Sequence, residues 1–373
     1  MINVLTLIGT RPEIIRLSRV IHKLDKYPNH LLVHTGQNYD YELNEIFFND
    51  LDIRKPDIFL EAAGKNAAET IGNVIKYIDG VFDEHNPDAL LILGDTNSSL
   101  AAIPAKRRKI PIFHMEAGNR CFDYRVPEEI NRKIVDHISD INLTYSDIAR
   151  DYLISENFPP DQIIKTGSPM KEVLDFYSSK IKSSKILKEI KLKSNDYFLC
   201  SFHREENVDD PKNLQKIINI MNSITEKYSK TIIVSTHPRT QARLEKANKI
   251  DNSLIKYMKP FGFSDYIHLQ LNAVCVLSDS GTITEESSIL NFSALNIREV
   301  NERPEGFEEG AVMMTSLDEE SVLNCLNIIK DQGRDDTRSL NIVQDYDVSN
   351  VSDKVIRIIS SYINFVNKKV WKK

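Results

Sequence analysis

Short runs of β-branched and apolar residues alternate along the chain with stretches in which apolar side chains recur every three or four positions. The first unit has an apolar run over residues 3–8, a turn led by Gly9 and a helical pattern through about residue 25. Short apolar runs indicate buried strands, and a period near 3.6 indicates amphipathic helices. Their alternation predicts an α/β fold with a parallel sheet and helices on both of its faces.

The alternation passes through two series of predicted strands. A chain of 373 residues is also too long for one ordinary core. Gly167 and Pro169 interrupt the pattern, and a lysine-rich segment over 180–193 follows them. We therefore predict an N-terminal domain over 1–170, a C-terminal domain over 171–350 and a closing helical segment over 351–373. The predicted strands are 3–8, 30–34, 89–93, 110–113 and 141–144 in the first series, and 197–202, 231–235, 254–258, 274–278 and 294–297 in the second.

Composition and charge narrow the range of partners. The chain has 48 Lys and Arg against 54 Asp and Glu, a net charge of −6, and no basic tail, so we predict no nucleic-acid partner. No apolar stretch approaches about 18 residues, which predicts a protein that does not enter the membrane. The four cysteines are widely separated and lack metal-ligand spacing. We expect a cytoplasmic protein with reduced thiols, no metal site and no nicotinamide or other cofactor.

Two predicted strands of the first domain end in carboxylates. Asp95 follows the run over 89–93, and Glu116 follows the run that begins at residue 110. Open α/β sheets bind ligands at the carboxyl ends of their strands, which favours a catalytic role for Glu116. For Asp95 a role as helix N-cap is an equal alternative.

A third carboxylate lies at the start of the next helix, whose first residue is predicted to be Pro127. Glu128 lies in the first turn and shares a helical face with Asn131 and Arg132 through its i, i+3 and i+4 spacing. We expect Glu128 to have a functional role in the site rather than only an interaction with the helix macrodipole. For Glu129 we favour a simple interaction with the helix macrodipole.

The first turn of the chain, over residues 9–13, offers an anion site. It has neither the glycines of a dinucleotide fingerprint nor the lysine of a P-loop. Backbone N–H groups at the start of the following helix, together with Arg11 and Arg16, are nevertheless suited to phosphate binding. Arg11 is the stronger candidate because it lies in the turn itself, whereas a solvated position on the helix is an equal alternative for Arg16.

The strands of the second domain also end in polar residues. Ser280 and Gly281 are placed to direct N–H and hydroxyl groups at a diphosphate, and Glu286 lies one helical turn further, at a distance suited to ribose hydroxyls. Arg303 adds a cation, and for His237 we favour a structural role. The motifs are His203-Arg204-Glu205-Glu206-Asn207, His237-Pro238-Arg239, the run over 278–286, and Glu302-Arg303-Pro304-Glu305.

Taken together, these motifs resemble the UDP-N-acetylglucosamine 2-epimerase family in order over nearly the whole chain. The resemblance implies a glycosyltransferase-B-like architecture: two Rossmann-like domains, an active site in the interdomain cleft, and a C-terminal helix that returns to the first domain. It also implies a homodimer. The residues that carry it are Gly9-Thr10-Arg11-Pro12-Glu13, Gly94-Asp95-Thr96, His114 to Gly118, Pro127 to Arg132, His203 to Asn207, Asp279-Ser280-Gly281, Glu285-Glu286 and Glu302 to Glu305.

The resemblance assigns roles residue by residue. It places the three carboxylates Asp95, Glu116 and Glu128 on the sugar side and gives His203 a contact with the departing diphosphate. Glu286 would hold the ribose and Tyr266 would pack near the uracil. Arg16 stands where many members have lysine, which keeps the charge. The phosphates would be held by Arg11, Ser280, Gly281 and Arg303.

The segment over 118–127 departs from the form found in the N-acetylglucosamine enzymes. It resembles the capsule and O-antigen branch that makes UDP-N-acetyl-L-fucosamine from UDP-2-acetamido-2,6-dideoxy-L-talose. The substrate expected from this resemblance is therefore a UDP-activated 2-acetamido sugar. A UDP-N-acetylglucosamine/UDP-N-acetylmannosamine 2-epimerase is one alternative. A retaining glycosyltransferase and a nucleotide-sugar sensor on the same fold are two others.

Overall fold

The computed structural model describes residues 2–37, 41–236, 238–244, 252–334 and 337–373. The chain divides into two compact units, one formed by Met1–Phe176 with Gln344–Lys373 and the other by Tyr177–Val343. The prediction placed this division at residue 170, which begins a short helix of the first unit.

The first unit contains a seven-stranded sheet within the described residues, and every strand pair in it is parallel. The strand order is β3-β2-β1-β4-β5-β6-β7, so the chain winds outward from β1 in both directions. This order is that of a doubly wound sheet, in which ligands bind beyond the carboxyl ends of the central strands. The strands are β1 Asn3–Ile8, β2 Asn29–His34, β3 Ile58–Phe59, β4 Ala89–Leu93, β5 Ile112–Met115, β6 Ile141–Thr144 and β7 Ile163–Lys165.

Helices connect these strands and cover the sheet. Leu5 and Leu7 of β1 pack with residues of the third helix in one buried cluster, while Val4 and Ile8, on the alternate positions, are also buried. Burial of both faces explains the continuous apolar runs in the sequence. The helices are α1 Arg11–Leu24, α2 Tyr41–Asp50, α3 Ala67–His85, α4 Ala102–Arg107, α5 Pro127–Ile138, α6 Asp147–Ser155 and α7 Met170–Phe176, with 3-10 turns at Asn97–Ala101 and Pro160–Gln162.

The second unit repeats this architecture with a parallel sheet of order β10-β9-β8-β11-β12-β13. Its strands are β8 Tyr197–Ser201, β9 Thr231–Ser235, β10 Ile255–Met258, β11 Val276–Ser278, β12 Ala294–Asn296 and β13 Met313–Met314. Its helices are α8 Ser178–Lys182, α9 Ile186–Glu189, α10 Glu205–Val208, α11 Pro211–Tyr228, α12 Pro238–Leu244, α13 Phe263–Asn272, α14 Thr282–Leu290, α15 Glu305–Glu308 and α16 Glu319–Ile329.

Alternate side chains of the central strand β8 enter two different apolar clusters. Phe198 and Cys200 pack in one cluster, and Tyr197 and Leu199 pack in the other. The period of two along a strand places these pairs on opposite faces of the sheet. The predicted α/β fold with two Rossmann-like domains is therefore confirmed, although the strand predicted over 274–278 begins only at Val276.

The last helix, α17 (Val351–Lys369), belongs to the first unit and packs against α1. Lys23 Nζ lies 2.7 Å from Asp353 Oδ1 in this contact. In the part of the chain that the structure describes, no helix has the length and apolarity required to cross a bilayer.

Candidate active site

The carboxylates of the first unit lie at the ends of two paired strands. Asp95 follows β4 and Glu116 follows β5, and the register places Leu93 opposite Met115. Glu116 is 5% exposed and has a φ of +62°, a left-handed conformation that is costly for a residue other than glycine. The backbone is therefore strained at Glu116, directly after the end of β5.

Two arginines hold the Glu116 carboxylate. Arg16 Nη1, from α1, donates to Glu116 Oε2 at 2.5 Å, and Arg132 Nη2, from α5, donates to Glu116 Oε1 at 3.1 Å. Arg132 also donates to the backbone carbonyl of Glu116 and to Asp95 Oδ2. Both arginines are almost completely buried, so their charges depend on these carboxylates for compensation. The alternative of a solvated Arg16 is wrong.

Helix α5 also contacts the backbone that follows β4. Asn131 Nδ2 donates to the backbone carbonyl of Asp95 at 3.0 Å. Asn131 and Arg132 share the helical face on which the sequence placed Glu128, which is half-buried in the first turn. The sequence prediction omitted these two residues as site residues, although their spacing from Glu128 was the available signal.

The alternative that Asp95 acts as a helix cap is wrong. Thr96, the next residue, is the N-cap of the 3-10 turn, and its side chain accepts a hydrogen bond from the backbone of Ser98. The Asp95 carboxylate instead faces Arg132.

The turn before α1 is arranged around a buried glutamate that the sequence prediction did not select. Glu13 Oε2 accepts from the backbone N–H groups of Gly9 at 2.5 Å and Thr10 at 2.9 Å, and Oε1 accepts from Thr96 Oγ1 at 2.6 Å. The N–H groups of Gly9 and Thr10 are therefore already bonded within the turn, whereas the predicted anion site concerns the N–H groups at the start of α1 and stays a prediction. Arg11, the first residue of α1, lies with its guanidinium 5.9 Å from the ring centroid of Phe47.

Glu13 gives the first unit a pH-dependent stability. Burial raises the pKa of Glu13 from 4.5 to about 7, against the opposing effect of its hydrogen bonds. The folded chain therefore binds a proton that the unfolded chain releases, and the free energy of unfolding falls as the pH rises through this window. We expect Glu13→Gln to remove a slope worth about 3 kcal/mol between about pH 4 and about pH 8, measured by urea unfolding.

Glu69→Gln is the matched control for this prediction. Glu69 also lies in the first turn of a helix and accepts a backbone N–H, from Lys65 at 2.7 Å, but its side chain is exposed. Its replacement is expected to leave the pH slope unchanged. A Glu13→Gln chain that retains the slope of the unmodified chain contradicts the assignment.

Behind Glu116, a fully buried ion cluster holds the loop that follows β5. Asp136 of α5 accepts from Arg120 Nη1 at 2.7 Å and lies 2.9 Å from His114 Nδ1. It also accepts the backbone N–H of Gly118, whose φ of +81° and close approach to the carbonyl of Ala149 exclude a side chain. These contacts fix the backbone on both sides of Glu116.

The neighbouring acid Glu129 has a larger role than an interaction with the helix macrodipole. It is 3% exposed, accepts from the backbone N–H of Cys121 at 2.9 Å, and lies 3.3 Å from Lys133 Nζ. It ties the start of α5 to the segment over 121–126. The prediction of a purely dipolar role for Glu129 is therefore wrong.

In the second unit, Asp279 organises the end of β8. Its carboxylate lies 3.0 Å from His203 Nδ1 and accepts from the backbone N–H groups of His203 and Arg204 and from Asn207 Nδ2. The His203 side chain is 39% exposed, whereas that of Asp279 is completely buried. The predicted motifs over 203–207 and 278–286 thus meet at adjacent strands.

The start of α14 carries the predicted diphosphate residues. Ser280 Oγ lies 3.1 Å from Thr282 Oγ1, and Gly281 is the N-cap of the helix. A Cβ added to Gly281 would lie 3.7 Å from Arg303 Nε, and Arg303 Nη1 lies 3.4 Å from Glu285 Oε2. The structure therefore brings Ser280, Gly281 and Arg303 together.

The predicted nucleoside residues also lie together. Glu286 is 6% exposed and accepts from Gln270 Nε2 at 2.7 Å. Burial and the nearby charge of Glu286 raise the pKa of Tyr266, while a hydrogen bond with Ser201 opposes this effect. The sequence prediction omitted Gln270, which had no motif to mark it. His237, for which the sequence favoured a structural role, lies outside the described residues.

The family model described as "UDP-N-acetylglucosamine 2-epimerase" matches residues 22–360. The chain belongs to this family. It is 36% identical to a UDP-N-acetylglucosamine 2-epimerase of Methanococcus maripaludis over 86% of this chain and 89% of that protein. The UDP-sugar 2-epimerases are isomerases, so this family member is an enzyme of that class.

Two solved epimerase structures match the fold. The chain is 50% identical to the UDP-N-acetylglucosamine 2-epimerase from Rickettsia bellii, with a TM-score of 0.93 and complete coverage of both chains. It is 31% identical to the Methanocaldococcus jannaschii enzyme in complex with UDP-GlcNAc and UDP, with a TM-score of 0.90 and coverage of 96% of this chain and 99% of that one. The predicted glycosyltransferase-B-like fold is therefore confirmed.

Proposed function

We propose that this epimerase is non-hydrolysing and inverts C2 of UDP-2-acetamido-2,6-dideoxy-L-talose to give UDP-N-acetyl-L-fucosamine for capsule or O-antigen synthesis. The main support for C2 chemistry is that Asp95 and Glu116 lie on paired strand ends and share Arg132. The support for the L-talo substrate is the segment over 118–127, which resembles the fucosamine branch.

The chemistry explains why such a cluster is needed. The C2 hydrogen of the sugar has no neighbouring carbonyl, so direct deprotonation is too costly. Breaking the C1–O bond sends its electron pair to the UDP oxygen and builds positive charge at C1, which acidifies C2–H. A carboxylate then takes the C2 proton, the C–H electron pair forms the C1–C2 double bond, and a 2-acetamidoglycal and UDP result.

The return reaction restores all atoms. A proton is delivered to the opposite face of C2, and the UDP oxygen forms a new bond to C1. This scheme requires acid–base groups near the sugar and cationic or N–H groups near the diphosphate. We assign the first task to Asp95, Glu116 and Glu128 and the second to His203, Arg11, Ser280, Gly281 and Arg303, with Glu286 and Tyr266 at the nucleoside. We propose Arg16 as a charge partner of Glu116 that also faces the substrate.

Proton NMR in D₂O tests the reaction and the substrate together. The enzyme is incubated with UDP-2-acetamido-2,6-dideoxy-L-talose and, in a parallel tube, with UDP-N-acetylglucosamine. We expect the L-fuco product with deuterium at C2 in the first tube, because the abstracted proton exchanges with solvent, and no change in the second.

The other outcomes are also informative. Deuterium and a new epimer only in the N-acetylglucosamine tube would keep the mechanism and overturn the substrate, in agreement with the names of the family members that this chain resembles. Epimerisation without deuterium at C2 would overturn the elimination mechanism. Light scattering on the same sample tests the proposed homodimer, since one chain has a mass of 42.8 kDa.

A further inference from the structure

A histidine and a buried aspartate form a pair at the carboxyl edge of the second sheet. Asp279 follows β11 and His203 follows β8, and the parallel register of these strands places Ser278 opposite Ser201. His203 Nδ1 lies 3.0 Å from Asp279 Oδ1. The backbone N–H groups of His203 and Arg204 also reach this carboxylate, at 3.1 and 3.0 Å. The contacts therefore fix both the ring and the backbone that carries it.

The aspartate of this pair remains a carboxylate throughout the neutral range. Burial alone would raise the pKa of Asp279, but the charge of His203 and the hydrogen bonds from His203, Asn207 and the Arg204 N–H group lower it to about 2. A carboxylate only accepts hydrogen bonds, so the ring nitrogen that faces it must be the donor. In a histidine, the partner of one ring nitrogen determines the state of the other.

We infer that Asp279 is the positioning residue of His203. It keeps the proton on Nδ1 and holds the ring so that Nε2 is the atom presented to the ligand. Asp279 itself is fully buried and has no direct access to a ligand, so its effect acts through the histidine. The same division of roles allows an aspartate to orient the general acid–base histidine of a catalytic triad.

This inference rests on the proposed function in one respect: the ligand of Nε2 is taken to be the diphosphate of the UDP-sugar. In the charged ring, Nε2–H donates to the departing UDP oxygen. When UDP returns, the neutral ring fixed by Asp279 can take this proton back from the UDP oxygen, because its Nε2 carries no hydrogen. A neutral ring with the opposite tautomer would face the Asp279 carboxylate with an unprotonated Nδ1, which places two acceptors against each other, and its Nε2 would already carry the proton.

The first test uses the unmodified chain and does not depend on activity. Histidine rings are labelled with ¹⁵N, and His203 is assigned by comparison with His203→Gln. We expect the neutral His203 ring to carry its proton on Nδ1. A neutral ring with the proton on Nε2 would overturn the inference, whatever the substrate of the enzyme.

The second test measures turnover in a double-mutant cycle. Asp279→Asn retains an oxygen for the backbone N–H groups but presents an amide to the ring. We expect kcat to fall by about 10²- to 10⁴-fold with little change in the affinity for UDP. The same substitution should cause no further loss in a His203→Gln chain, because the residue through which it acts has been removed.

Asp140→Asn is the matched control. Asp140 is also a buried aspartate that accepts a backbone N–H group, from Ile112 at 2.9 Å, but it directly precedes β6, at the amino edge of the sheet of the first unit. This variant is expected to keep kcat near that of the unmodified enzyme. An Asp279→Asn effect that is equally large in the presence and absence of His203 would indicate a structural role and contradict the inference.

Discussion

Replacing Glu116 by glutamine is expected to reduce kcat for C2 epimerisation by about 10²- to 10⁴-fold. Glutamine has nearly the same shape, but it cannot accept a proton as a carboxylate does. It also leaves Arg16 and Arg132 without the charge that both contact at the end of β5. The assay is turnover of the UDP-sugar, combined with calorimetric measurement of UDP affinity, which should change much less than kcat.

Glu156→Gln separates the chemical effect from the loss of an ion pair. Glu156 Oε2 lies 2.7 Å from Arg120 Nη2, so its replacement also removes a carboxylate from a buried arginine of the first unit. Glu156 lies outside the Asp95–Glu116–Arg132 cluster, so the Glu156→Gln variant should keep the turnover of the unmodified enzyme. Unchanged turnover in Glu116→Gln would refute the catalytic assignment, and a parallel loss in both variants would indicate general destabilisation.

Asp136→Asn is expected to have the largest effect on stability. Asp136 is completely buried between Arg120 and His114, so losing its charge leaves the buried Arg120 guanidinium with Glu156, which is only partly buried, as its remaining carboxylate contact. Breaking such a pair costs about 3–5 kcal/mol. We expect a loss of this size in the unfolding free energy of the first unit by urea denaturation, together with reduced turnover, because the same carboxylate holds the Gly118 N–H group.

The pH dependence of this effect has a defined sign. Burial opposes ionisation, but His114, Arg120 and Arg132 lower the pKa of Asp136 below its ordinary value. The stabilisation that the Asp136 carboxylate gives the folded chain is therefore fully present above the ordinary pKa of aspartate. It is lost as the pH falls through the lower pKa that Asp136 has in the folded chain. At acid pH the unmodified chain should approach the stability of Asp136→Asn.

An exposed ion pair provides the control. Asp147 lies 2.6 Å from Lys165 Nζ with 67% of its side chain exposed. Exposed pairs contribute less than about 1 kcal/mol, so Asp147→Asn should scarcely change the unfolding curve. Equal losses in Asp147→Asn and Asp136→Asn would contradict the special role of the buried cluster.

The arrangement of Arg132 shows why site residues are harder to predict than site regions. Its spacing from Glu128 places it on the correct face of α5, but an arginine at such a position is usually solvated. Only the tertiary structure shows that Arg132 is 2% exposed and contacts both Asp95, after β4, and Glu116, after β5. Glu13 was missed for a similar reason, because an acid in the first turn of a helix ordinarily needs no further explanation.

Local sequence determined the elements of this protein. Apolar runs buried on both faces define strands such as 3–8 and 89–93, and Pro127 marks the first residue of α5. These features depend on side chains a few residues apart, so the sequence alone determined the α/β class and located the polar strand ends. The family motifs, which are also local, indicated the chemistry.

Tertiary structure alone decided which of those residues meet. The strand order places β4 between β1 and β5, which brings Arg16 to Glu116 across 100 positions of sequence. In the second sheet, β8 beside β11 brings His203 to Asp279. Such pairings depend on the order of strands and on the burial of charge, and neither is encoded in a local pattern. The left-handed backbone of Glu116 likewise exists only because the surrounding ion cluster holds it there.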